Sequence, residues 1–162
     1  MTGERVSAPQ PFRGSAPFLQ TVPPLSLPMR HFVFAAASFW IFSAAYAWGS
    51  SRLLGFDFDA RWALGLVHTL TLGWIAMTIL GALTQMIPAH GQVPLFAPEV
   101  VAAAWWLLAG GIVGFVASLW RGSDLYWIAA AALFFAIGLY LYCLGRTLSR
   151  VGKLDWTARH FP

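Results

Sequence analysis

The sequence predicts an all-α integral membrane bundle of four transmembrane helices, with both termini cytoplasmic. Three observations predict it. Hydrophobic residues make up 59% of the 162 and charged residues only 10%, where soluble domains carry roughly 25% charged residues. Four stretches contain no Asp, Glu, Lys or Arg: His31–Ser51, Trp62–Pro98, Val100–Trp120 and Leu125–Gly145. Each reaches the ~20 residues needed to cross a bilayer. The flanking charge is also lopsided. Arg5, Arg13, Arg30, Arg146, Arg150, Lys153 and Arg159 lie on one side, and Arg52, Arg61 and Arg121 on the other. Basic residues favour the cytoplasmic face, which puts the termini there.

The elements follow in order. Residues 1–29 carry six prolines and read as a mobile, Pro-rich cytoplasmic tail. The first apolar run exceeds the h-region of a secretory signal. The first span covers about 30–50, with Pro28 suited to a helix's first turn. The second covers about 62–87, and Pro88 is expected to end it. The third, about 99–120, follows Pro98 and Glu99, which suit a helix start. The fourth, about 125–145, follows Asp124 as an N-cap. Residues 30–146 therefore form the transmembrane domain, and 147–162 a basic cytoplasmic tail. The runs are too long and too poorly alternating for the strands of a barrel.

Charge and cysteine bound the chemistry. The net charge of +4 lies mostly beside the spans, where it orients the protein, and calls for no nucleic acid. Cys143 is the single cysteine, so an internal disulfide and covalent attachment of a c-type haem are both excluded. It is expected to pack as a small apolar residue. There is no glycine-rich phosphate loop, HExxH, GxSxG or paired-carboxylate pattern, which removes hydrolase and nucleotide-binding readings.

One ionisable residue, His68, interrupts the apolar stretch Trp62–Ile87. An ionisable group in a membrane span needs a compensating partner. Either His68 hydrogen-bonds a neighbouring helix, or it ligates a metal through a neutral ring nitrogen. At about 1.5 Å per residue it lies roughly 9 Å inside the outer end of its helix. His31 and His90 belong to the opposite, cytoplasmic ends of their spans, and His160 to the tail. In an α-helix Leu64, Gly65, Thr71 and Leu72 share the His68 face. Gly65 leaves room for a flat ring. Thr71, Thr78 and Gln85 recur every seven residues as a polar stripe able to bond across helices. Gly73 and Gly81 are positions of close approach, and Gly110 and Gly114 give one GxxxG spacing. Trp48, Trp62, Trp120 and Trp127 suit interfacial belts. Trp40, Trp74, Trp105 and Trp106 lie deeper, as packing or lipid-facing residues or as walls for a porphyrin.

The segment from His68 to Gly91, with His68, Gly73–Trp74, Gly81–Ala82, Gln85 and Pro88, resembles the second helix of the haem–copper oxidase catalytic subunit (subunit I). The likeness extends to short subunit I-like and NnrS-like membrane proteins. The segment Asp155–Phe161 is similar to the approach to a fifth helix in those proteins. The resemblance implies that His68 is an axial ligand of a low-spin haem b near the outer membrane face, with Gly65 and Thr71 beside the cofactor. The family's second axial histidine, copper histidines and high-spin haem ligand come from later helices. They have no counterpart within these 162 residues. Reduction of oxygen or nitric oxide by this chain alone is therefore not expected.

Three functions compete. One is a haem b electron-transfer module of a respiratory or nitrogen-oxide-linked complex in the inner (plasma) membrane. A second copy or a larger complex would then supply the other ligand. Another is a non-catalytic subunit or assembly factor without cofactor. A channel or transporter is the weakest, because the spans hold no acidic residue and no proline-broken helix pair.

Overall fold

The computed structural model describes residues 24–54 and 60–160, with side chains described over 24–50 and 60–151. Every regular element among them is helical. Helix α1 spans Ser26–Leu54, α2 Ala60–Gly91, α3 Pro98–Arg121 and α4 Tyr126–His160. All four are long and apolar enough to cross a membrane. The chain is a multi-pass membrane protein. Only residues 24–29 of the expected tail are described, and there the helix is already under way from Ser26, with Leu27 and Pro28 buried.

The helices run antiparallel to their sequence neighbours. Gly49 meets Trp62 at one end of the bundle, and Gly91 meets Val151 at the other. We call the end holding Ser26, Gly91, Pro98 and Val151 the terminal end, and its opposite the far end. Helix α2 is the hub. It packs on α3 toward the far end, where Gly65 meets Trp120, and on α4 toward the terminal end. Along its middle it packs on α1. A Cβ at Gly73 would stand 2.7 Å from the Ser38 side chain, and one at Gly81 2.7 Å from the His31 Cβ. Both glycines are thus places of close approach. Helices α3 and α4 also form an extensive seam. Gly111 meets Leu133 and Gly114 meets Ala129, while Gly110 faces open space. The working pair is therefore three residues apart, not the expected GxxxG four.

Helix ends depart from expectation in two places. Pro88 does not stop α2. It sits buried in the last turn, and the helix continues to Gly91. Termination comes from Gln92, which is left-handed at φ 50°, with Val93 N–H donating to Pro88 O at 3.2 Å. That is a Schellman closure. Asp124 does not cap α4 but faces Arg61 at 3.9 Å. Arg61 also donates to Gly122 O at 2.8 Å, which ties the start of α2 to the end of α3. Helix α3 begins after left-handed Ala97, with Pro98 in the first turn and Glu99 behind it. It ends on Gly122 at φ 67°, with Ser123 N–H donating to Ser118 O at 2.9 Å. The core gathers Met77, Val101, Ala104, Leu108, Ala136, Tyr140 and Cys143. Cys143 packs there as a small buried residue.

Helix α2 has an interior discontinuity. Ala60–His68 and Met77–Gly91 are α-helical, but Thr69–Ala76 winds as a π-helix. Just before it, three carbonyls accept side-chain donors: Leu64 from His68, Gly65 from Thr69 and Val67 from Thr71. Such donors loosen the i−4 ladder, and the wider turn begins where they act. The packed face then moves from α3, at Gly65, to α1, at Gly73.

Candidate functional site

Histidines at three positions make the same first bond. In each, Nδ1 meets the carbonyl four residues earlier: His31 to Leu27 at 2.9 Å, His68 to Leu64 at 2.7 Å and His90 to Met86 at 3.1 Å. A carbonyl only accepts, so Nδ1 carries the proton and Nε2 presents a lone pair. What Nε2 meets separates the three.

At His31 the lone pair is capped. Tyr140 Oη lies 2.6 Å from Nε2 and donates to it. The His31 ring is fully buried, packed edge-on to Tyr140 and to Trp105. This pair links α1 to α4, two helices with no direct backbone contact. Both side chains are fully buried. Sequence reasoning set His31 aside as an end-of-span residue. The available signal was the spacing of Leu27, His31, Ala35 and Ser38, one buried stripe facing the glycines of α2.

At His68 the lone pair is open. Nε2 has no hydrogen-bond partner among the described residues. The ring is half-buried, beside Phe115 of α3 at 5.0 Å between centroids. Exposed Leu64, Val67 and Thr71 flank it, so His68 stands at the border between the α2–α3 contact and the lipid-facing perimeter. His90 is exposed at the terminal end. No group of three or more His, Cys, Asp or Glu converges among the described residues.

The remaining expected site residues fall differently. Gly65 is buried, and the flat ring that lies over it is the indole of Trp120. Trp120 Nε1 donates to Trp62 O at 3.3 Å, which fixes the indole there. Thr71 is exposed, and no hydrogen bond joins it to His68. Its hydroxyl donates to Val67 O at 2.8 Å. Thr78 likewise donates to Trp74 O, so both threonines of the expected stripe bond their own helix rather than a neighbour. Among the deep tryptophans, Trp105 is buried, Trp40 and Trp106 face outward, and Trp74 packs on Phe39 at 4.7 Å. The aromatic against His68 is instead Phe115, which the sequence did not single out.

One imidazole nitrogen, His68 Nε2, would be free to hold a haem iron. The donor is a neutral imidazole whose tautomer is fixed by a carbonyl, the arrangement usual for ligating histidines. The chain brings no second histidine to that depth among the described residues. Access over Gly65 is closed by Trp120, so a ring would approach from the perimeter side.

No protein family model matches the chain, and no solved structure matches it. One curated relative is the cbb3-type cytochrome c oxidase subunit CcoN1 of Stutzerimonas stutzeri, 35% identical over 60 residues. That match takes in 36% of this chain and 13% of the relative, so the similarity is partial on both sides.

Proposed function

We propose that the chain is a haem b-binding, electron-transfer module of a respiratory or nitrogen-oxide-linked complex in the inner membrane, with His68 Nε2 as one axial ligand. The observation that carries this is the open lone pair of His68. An imidazole inside a span, oriented by its own helix and left without an acceptor or donor at Nε2, is matched to a metal. The partial similarity to a cytochrome c oxidase subunit supports the same reading. Haem, when bound, supplies a one-electron couple. This chain's residues hold and orient the ligand: Leu64 O fixes the tautomer, and Phe115 limits ring rotation. On this reading the second ligand comes from another subunit, a second copy or a larger complex, since His68 stands at the perimeter. Thr71 and Gly65 then act through helix geometry, Thr71 at the onset of the π turn and Gly65 by admitting Trp120.

The test is a reduced-minus-oxidised spectrum with a pyridine haemochrome assay, on protein expressed with ample haem and its native partners. A b-type spectrum that is lost in His68→Ala and kept in His90→Ala supports the reading. Colourless wild-type protein overturns it in favour of a cofactor-free packing subunit. The Trp120 indole over Gly65 is the observation that favours that second reading, since protein already fills the space a ring would use.

A further inference from the structure

At the terminal end, Phe96 of the α2–α3 connection collects two positive charges. The Arg146 guanidinium lies 5.5 Å from its ring centroid and that of Arg150 4.9 Å. The platform is held in place: Phe96 N–H donates to Thr147 Oγ1 at 3.0 Å, and this fully buried hydroxyl donates to Cys143 O at 2.8 Å. The arginines are one helical turn apart, where like charges repel. Neither has a carboxylate in ion-pair range among the described residues. Tyr142 continues the same face one turn deeper and packs on Phe96 at 5.8 Å. The uncharged run of α4 ends at Gly145, so Arg146 and Arg150 stand where the headgroup region begins and Tyr142 just inside it.

We infer that Arg146 and Arg150, aligned over Phe96, form a binding site for the phosphate of an anionic phospholipid. An anion between the guanidinium forks relieves their repulsion and accepts charge-assisted hydrogen bonds from both. The aromatic pair below gives an apolar seat for the rest of the lipid, which a free phosphate would not use. The site is separate from His68 and independent of whether haem is bound.

The full chain in a neutral detergent is titrated with phosphatidylglycerol, with phosphatidylcholine of the same acyl chains, and with inorganic phosphate, and bound lipid is read by native mass spectrometry. The expected preference for phosphatidylglycerol is roughly tenfold. It should disappear in the double variant Arg146→Gln, Arg150→Gln. It should fall clearly in Arg146→Lys, Arg150→Lys, which keeps the charge but loses the planar forks. Arg121→Gln, at the far end, should leave it unchanged. The site is overturned by equal binding of the two lipids to wild-type protein. It is also overturned if the glutamine pair keeps the preference, or if the lysine pair binds as well as arginine, the mark of a diffuse surface field. Inorganic phosphate displacing phosphatidylglycerol at equal affinity would reduce it to an ion site and overturn the lipid assignment.

Discussion

His68 and His31 use the same ring nitrogen on their own helices and end in opposite roles. His31 is a closed contact, with both nitrogens occupied and the ring fully buried. Its contribution is structural. Tyr140→Phe removes the hydroxyl and leaves Nε2 unpartnered, which should cost about 1–2 kcal/mol. The measurement is the thermal midpoint in detergent, and an unchanged midpoint would refute the bond. His68→Ala should leave that midpoint nearly untouched, because the ring is half-buried and Nε2 bonds nothing among the described residues. Its expected effect is confined to the haem spectrum. A loss of stability in haem-free protein would mean that His68 packs rather than ligates. Cys143 needs no such test of reactivity, since it is buried beside the loop-anchoring Thr147.

At the scale of elements, the glycines make the sharpest predictions. Gly81→Ala drives a methyl against the His31 Cβ and should cost about 1–3 kcal/mol through overpacking. Gly110→Ala meets nothing within 4 Å and should be neutral or mildly stabilising, since alanine is the better helix former. Equal effects on the unfolding midpoint would contradict the packing described. The spans themselves were legible, because hydrocarbon excludes charge and the charge gaps mark four helices. Helix ends were less so. Pro88 reads as a stop, yet its ring fits the final turn, and a glutamine takes the left-handed cap that usually falls to glycine. Asp124 reads as a cap, but Arg61 competes for it. The π-helical stretch was hidden, because it depends on rotamers of His68, Thr69 and Thr71 turning back on their own carbonyls. The ring expected over Gly65 was a cofactor's; the ring found there is Trp120, whose placement depends on how α3 docks. The His31–Tyr140 pair joins residues 109 apart, and no local pattern marks it.

At the scale of the molecule, the bundle sets what can be cut and which way it faces. Helix α1 starts at Ser26 and buries Leu27 and Pro28, so a chain starting at residue 24 should insert and fold. Loss of insertion would assign the first 23 residues a structural part. The seven-to-three basic bias predicts cytoplasmic termini. A phosphatase reporter fused after Pro162 should therefore stay silent, and activity would reverse the orientation. Under the proposed haem ligation, the perimeter position of His68 would make haem retention depend on assembly. Detergents that strip partners should bleach the spectrum without melting the helices.

The π turn between Thr69 and Ala76 acts as a phase shifter built from a single extra residue of winding. Upstream of it, α2 is set to receive Trp120; downstream, it is set to receive His31 and Ser38. An unbroken α-helix of the same length would turn one half against the other by about 100°. The two halves would then compete for alignment. If Gly73 and Gly81 stayed on α1, Gly65 would leave Trp120, and His68 would swing with it. Deleting Leu70 alone should thus let α2 wind as unbroken α-helix with Gly65 still on Trp120 and Gly81 still on His31. The aim of the His68 ring is held by how these residues wind as much as by any contact it makes.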